Sequence, residues 1–544
     1  MPPPDETEEA NSFNVQAVFR LKEELDVAEA RVRALIKGLD AARRRYARTR
    51  SGEDRAAMDA AQAEAEQLHN AYAQLVQRLQ KRSCITAEEL AENEADRASG
   101  IDQLPRSALT ADKINSTADL DALLPRALEA IERLLPAQWI DEEAPNFARL
   151  DEVFGPDGVL SITKGLRPES EKPPLHRLRQ AIYTARDYLD GNLHYDHFAG
   201  AIHIPTLAQL GAELDHLNAV GGDVDSRLQK LWLGPSHAVD ATFFELLTAA
   251  RCAGRGRTVA FIEETTDKSP DLECGDPFPV VIECKRQDPL SKFELEEECV
   301  MRAIFLRLRH LARASGLAGR FELRLAVEAK SLNVEEVAGA AFRARLSPHA
   351  NSPLAYGWGA VAFQELPRRG RLPVVTRAYS PTMLERVFGW NMELPEWDGL
   401  CCSIANARGG VVEEVQNPLA LLWSNESPEA LRKRTWAPTN LFGSATGQIY
   451  GGAVGIIYVA YVEGAREAAA DLRVAAYQER LQDWEHAGDI RIPISVLTRL
   501  YPRPLGEGNP DLIESGVQIL SEQYGHPSLF DDFPTTIFTR SPDE

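Results

Sequence analysis

The stretch from Asp240 to Gln287, DATFFELLTAARCAGRGRTVAFIEETTDKSPDLECGDPFPVVIECKRQ, constrains the fold most, because its apolar period changes within a few residues from that of a helix to that of strands. Phe243, Leu246, Leu247 and Ala250 make one apolar stripe at helical spacing. Ala241, Glu245, Thr248, Ala249 and Cys252 make a second stripe of mostly small residues. A small-residue face lets a helix lie close against a sheet, which would carry Glu245 over the strands. Asp240 reads as the N-cap, with Gly254 and Gly256 as the stop. TVAFIEET, SPDLEC and PVVIECKRQ then read as three short strands separated by turn residues. In the last run side chains alternate, so Glu283 and Lys285 share one face while Ile282 and Cys284 take the other. Asp271 opens the middle run. Carboxylates from Glu245, Asp271 and Glu283 beside the Lys285 ammonium are costly to place at the end of an apolar hairpin unless a divalent cation balances them.

At these residues the chain resembles the PD-(D/E)xK, or restriction-endonuclease-like, nuclease superfamily. The family pattern is a helix acid, then Pro-Asp, then after a hairpin an acid-x-Lys on a strand; here these are Glu245, Pro270-Asp271 and Glu283-Cys284-Lys285. Eleven residues separate Asp271 from Glu283, enough for a strand, a Gly-Asp-Pro turn and a return strand. A rival triplet, Glu328-Ala329-Lys330, has no Pro-Asp at suitable distance. The resemblance spans about residues 235 to 335. It implies hydrolysis of DNA phosphodiester bonds with Mg²⁺, or Mn²⁺ in its place. Asp271 and Glu283 would be the metal ligands, helped by the backbone carbonyl of Cys284, with Glu245 holding a second ion or a metal-bound water. Lys285 would orient the attacking water and stabilise developing charge. Neighbouring acids raise a lysine pKa, which argues against Lys285 as a simple general base. The helix from Lys292 to Ala314 and the strand from Arg320 would complete the family's helix, three strands, helix, strand order.

The net charge of -22 bounds how such a protein could hold its substrate. Nonspecific coating of nucleic acid relies on Lys and Arg neutralising phosphates, so contact here must follow a local basic track. The candidates for DNA contact are Arg286, Gln287, Arg302 and Arg309, and the arginines of PRRGRLPVVTR form another basic cluster. Seven scattered cysteines without a CxxC suit a reducing cytoplasm, with most of them buried as small apolar residues. The start, MPPPDETEEA, carries no secretory signal pattern, and the longest apolar window, AVGIIYVAYV, is too short for a bilayer and reads as a buried strand. A cytoplasmic protein without membrane contact is the expectation.

Around this core the chain divides into a tail at 1–12, a coiled-coil hairpin at 13–84, a helical domain at 85–231, the nuclease core at 232–335 and a C-terminal α/β extension at 336–544. In the hairpin, Val18, Leu21, Leu25, Ala28, Val32 and Leu35 alternate three- and four-residue spacing on one seam, and Met58, Ala61, Ala65, Leu68 and Tyr72 make a second. Such seams suit pairing with each other, with a second copy of the chain, or with a partner protein. In the helical domain TADLDALLPRALEAIERLL is the clearest amphipathic piece. His194, His197, His203 and His216 follow, and they read as ordinary helix-end and loop residues rather than a zinc pattern. In the extension GWGAVAFQEL, GIIYVAYV and RIPISVL read as strands, while Arg377 to Leu441 reads as a long irregular stretch. The expected fold class is α/β: a restriction-endonuclease-like mixed sheet flanked by helices, with N-terminal all-α parts and a C-terminal α/β extension. The functional expectation is a Mg²⁺-dependent DNA endonuclease, in a restriction or anti-phage role by analogy. The alternatives are a non-cleaving DNA-binding protein that recruits partners through its coiled coil, and a ribonuclease.

Overall fold

The structure is a computed structural model. It describes residues 117–539 apart from 137–138, 140–157, 163–175, 194, 264–268, 276–277, 288–289, 347–352, 391–397, 409, 450–452, 464–466, 486–490, 504–509, 522–529 and 531, and before 117 only 56 and 60. The chain divides into two compact units, Met1–Arg106 and Ser107–Glu544. The expected tail lies outside the described residues, as does the coiled-coil hairpin apart from 56 and 60, and the helices and strands that build the candidate site all belong to the second unit.

In chain order the first elements are α1 (Thr117–Glu132), β1 (Leu160–Ile162), α2 (Arg177–Asp190), α3 (His197–Leu217), β2 (Gly221–Gly222), α4 (Val224–Leu233), α5 (Val239–Gly254), β3 (Val259–Phe261), β4 (Leu272–Cys274) and β5 (Val280–Arg286). Then come α6 (Lys292–Ser315), β6 (Gly319–Leu325), α7 (Val334–Ala344), β7 (Leu354–Tyr356), β8 (Gly359–Glu365), β9 (Arg369–Arg377), α8 (Pro381–Phe388), β10 (Asp398–Arg408) and β11 (Val411–Asn425). The last are α9 (Pro428–Thr446), β12 (Val454–Val462), α10 (Glu467–Glu485), β13 (Arg491–Arg503) and β14 (Asp511–Leu520).

These strands form two mixed sheets. The first runs β14-β13-β12-β5-β4-β3-β2; the second runs β1-β10-β11-β6-β8-β7, with β9 also paired to β11. In the first sheet β12 lies between β13 and β5, and its residues from Gly455 to Val462 are all buried. A strand covered on both faces needs apolar side chains on both, and Ile456, Ile457, Tyr458, Val459 and Val462 supply them. On one face the core joins Leu246, Leu247 and Ala250 of α5 to Ile282, Cys284 and Tyr458 of the strands. The small stripe of α5 behaves as its composition suggests: Thr248, Ala249 and Cys252 are buried, and the Thr248 hydroxyl interacts with the Cys284 thiol on β5.

Three expectations are corrected. The core sheet is not completed by α6 and β6: β6 pairs with β8 and β11 in the second sheet, and β5 takes β12 as its parallel neighbour. The helix packed before that strand is α9, so the chain between β5 and α9 makes an excursion that supplies every strand of the second sheet but β1 before it returns. Alternation in β6 and a continuous apolar run in β12 each identify a strand, but neither names its neighbour. Second, the stretch from Arg377 to Leu441 is not irregular, since it holds α8, β10, β11 and most of α9. Register shifts between Cys402 and Ile404 and between Asn406 and Ala407 interrupt the β10–β11 ladder, and a bulge breaks the two-residue period that would announce a strand. Third, Asp240 does not cap α5. A short turn at Ser236–Ala238 runs straight into the helix, which places Asp240 in its first turn with its carboxylate 2.7 Å from Arg177 Nη1.

Near the C-terminus a strap crosses β14. The buried Glu514 carboxylate accepts hydrogen bonds from the backbone N–H groups of Ile537, Phe538 and Thr539, and Arg251 donates to the carbonyls of Thr536 and Thr539. Phe538 stacks on Phe244 of α5, with ring centroids 5.7 Å apart. No helix among the described residues is long and apolar enough to cross a membrane.

Candidate active site

The site is built where β4 and β5 part. Their antiparallel ladder ends at Leu272 opposite Ile282, and the Asp271 N–H still donates to the Ile282 carbonyl at 3.1 Å. One step on, the Cys284 N–H donates not to backbone but to Asp271 Oδ2, at 2.8 Å. The carboxylate thus takes over the ladder at the split, while β5 continues alone beside β12, with Glu283 opposite Ile457 and Lys285 opposite Val459. Alternation along β5 puts Glu283, Lys285 and Gln287 on one face and Cys284 on the other, toward α5.

Glu283 is 0% exposed; Lys285 Nζ donates to its Oε1, while its Oε2 is buried and finds no hydrogen-bond partner among the described residues. Burial, reinforced by the Asp271 carboxylate, pushes the Glu283 carboxyl up to about 8. Burial works against the Lys285 ammonium, but Glu283 beside it prevails and the lysine pKa is raised. Glu245, on α5, accepts from Arg227 Nη1 at 2.6 Å, and the same nitrogen lies 3.7 Å from Asp271 Oδ1. Among the described residues these three carboxylates thus face two cations, Arg227 and Lys285, and it is burial above all that makes Glu283 resist ionisation.

Arg227 was not legible as a site residue. It sits in VDSRLQKLWL among other charges, with the spacing of an ordinary amphipathic helix, and nothing local marks it as the residue that reaches Glu245. Among the described residues no group of three His, Cys, Asp or Glu side chains is arranged to hold a metal ion. The chemistry of the donor set nevertheless fits a hard divalent cation. It offers carboxylate oxygens from Asp271, Glu245 and Glu283, and one of the Glu283 oxygens is buried and without a partner among the described residues.

The candidate DNA contacts divide. Gln287 lies on the Glu283 face, its N–H bonded to the Ala460 carbonyl and its side-chain Oε1 buried without a partner among the described residues. Arg286 takes the opposite face; Nη1 donates to the Asp240 carbonyl at 3.3 Å and the guanidinium lies 4.9 Å from the Phe538 ring. Arg302 and Arg309 are not brought to the site. Both lie on α6, where Arg302 pairs with Glu298 and Arg309 donates to the Gly158 carbonyl, beside strands β1 and β10 of the second sheet. The basic cluster on β9 belongs to that sheet too, with Arg369 bound to Glu414 at 2.9 Å. The rival Glu328 is engaged by Lys330 and Lys433, and their hydrogen bonds lower its pKa. Of the histidines, His197 lies 3.5 Å from Arg377, His216 is 2.7 Å from Glu213, and His203 is lowered to about 4 by burial; His194 lies outside the described residues.

Protein-family models, curated proteins and solved structures give no match to this chain. The functional reading therefore rests on the residues.

Proposed function

We propose that this protein is a divalent-cation-dependent endonuclease that hydrolyses DNA phosphodiester bonds, with a fold of the PD-(D/E)xK type. The observation that carries the proposal is the gathering of Glu245, Asp271, Glu283 and Lys285 at the split between β4 and β5, with a buried Glu283 oxygen that has no partner among the described residues. The order α5, β3, β4, β5, α9, β12, with β12 parallel to β5, supports it through its resemblance to that superfamily's core.

Asp271 and Glu283, with the Cys284 carbonyl, would hold Mg²⁺ or Mn²⁺, and Glu245 would hold a second ion or a bound water. The ion, when bound, supplies Lewis-acid stabilisation of charge on the phosphate. The chain's own groups do the rest. The Asp271 carboxylate is fixed by the Cys284 N–H, so its orientation costs no reorganisation. Lys285, protonated and held by Glu283, can donate to a phosphate oxygen as negative charge builds there. Its raised pKa makes it a donor rather than the base. Gln287, one step along the same face, can hydrogen-bond substrate. A role in restriction or anti-phage defence is part of the proposal by analogy with other nucleases of this type.

The test is cleavage of plasmid DNA with Mg²⁺. Loss of cutting in Asp271→Ala and in Lys285→Ala, with folding intact by circular dichroism, is expected; cutting that survives both overturns the assignment. The pairing of Glu245 with Arg227 favours a second reading, a protein that binds DNA without cutting it. Calorimetric titration with Mn²⁺ separates the two, because a binding-only module has no saturable site that Glu283→Ala abolishes. Offering RNA in the cleavage assay tests the ribonuclease alternative.

A further inference from the structure

Arg227 lies outside the hairpin that makes the site, yet it occupies the position where a cation is wanted. It is carried by α4, which is capped by Asp223 through the Ser226 N–H at 3.1 Å and packs against α5. Its side chain is 5% exposed, and the Phe261 ring lies 5.4 Å from the guanidinium carbon. One nitrogen, Nη1, is 2.6 Å from Glu245 and 3.7 Å from Asp271. A divalent ion held by either carboxylate would stand against this guanidinium at ion-pair distance with little water between them, and like charges so placed repel strongly. The repulsion cannot be relieved by losing a proton, because an arginine keeps its charge.

We propose that Arg227 is a positioning residue that competes with the metal: it holds Glu245 and Asp271 in place in the metal-free site and must withdraw from them when a divalent ion binds. The helical region before the nuclease hairpin thereby sets the metal affinity of the site. A purely structural ion pair would leave the metal affinity alone or weaken it by loosening the carboxylates. A competing counterion does the reverse, since its removal takes one positive charge away from Glu245 and Asp271. This inference rests on the metal-binding reading of the same carboxylates.

The experiment is calorimetric titration of the full chain with Mn²⁺ alone, comparing the wild type with Arg227→Gln, and thermal unfolding of both with and without Mn²⁺. Arg227→Gln is expected to lower the metal-free midpoint, to tighten Mn²⁺ binding by roughly tenfold, and to gain more stability from Mn²⁺ than the wild type does. Arg307→Gln, which removes a surface pair with Glu335, serves as the control and should leave Mn²⁺ affinity unchanged. Wild type that binds Mn²⁺ with an Arg227→Gln variant that binds no tighter overturns the competition while leaving the metal site standing. Absence of Mn²⁺ binding from both overturns the metal site and the competition together. Should Arg227→Gln fail to fold, the same substitution in a Glu245→Gln background removes both charges of the closest pair. There the double variant should still bind Mn²⁺ more tightly than Glu245→Gln alone, because Arg227 also faces Asp271, and equal affinity overturns the proposal.

Discussion

Replacing Glu283 with Gln should make the metal-free protein more stable at alkaline pH, by an amount the structure lets one work out. The Glu283 carboxyl is fully buried and its pKa is raised from 4.5 to about 8, first by burial and then by Asp271. Between those two values the unfolded chain has released a proton that the folded chain retains, so stability is present in full below about pH 4.5 and is lost as pH rises toward 8. At about 1.4 kcal/mol per pH unit, the loss over that interval is on the order of 4–5 kcal/mol. A glutamine in its place cannot titrate and escapes that loss. The assay is unfolding by urea or heat in the presence of a chelator, from pH 5 to 9, for wild type and Glu283→Gln. Other titrating groups largely cancel in the difference between the two. That difference should start near zero, because glutamine is a close match for the protonated carboxyl, and should swing in the variant's favour by several degrees in midpoint by pH 8.5. A difference that stays flat across the range, or that moves toward the wild type, would refute the argument that burial and Asp271 hold Glu283 protonated.

Further substitutions probe the scaffold. Glu297, on α6, is buried and accepts from Trp423, Asn425 and Arg434; Glu297→Ala leaves Arg434 without its 2.6 Å partner and should cost about 3–5 kcal/mol in urea unfolding. Phe538→Ala removes the ring stacked on Phe244 and beneath Arg286, and should cost about 3 kcal/mol and speed proteolytic trimming of the C-terminal strap. A methyl group added at Gly516 would lie 1.8 Å from the Thr535 carbonyl oxygen where the strap crosses β14, so Gly516→Ala should destabilise by about 2 kcal/mol or more, read as a lowered midpoint.

Local pattern carried much of this structure. β5, β8, β12 and β13 fall where alternating or continuous apolar runs placed strands, and α5 ends at Gly254 with Gly256 just beyond it at positive φ. The cysteines follow their apolar character, with Cys252, Cys274, Cys284, Cys401 and Cys402 buried and Cys299 exposed. β10 and β11 were missed because their period is irregular: register shifts interrupt their ladder, and in β11 Asn417 takes a positive φ, so neither presents a clean two-residue alternation. The C-terminal strap gave no signal at all. Its bonds run from backbone N–H groups to Glu514, and a backbone donor arrangement has no composition of its own.

For the site, the sequence by itself determined that Glu283, Lys285 and Gln287 share a face of one strand, because the two-residue period of an extended chain leaves no other arrangement. Tertiary structure decided who their neighbours are. It set β12, far along the chain, beside β5; it brought Arg227 from α4 to Glu245 and Asp271; and it carried Arg302 and Arg309 away with the second sheet. The period of an element fixes the direction of its side chains. Which surface each then meets depends on the fit of faces that exist only once the chain has folded, and no stretch of α4 or α6 carries that information alone.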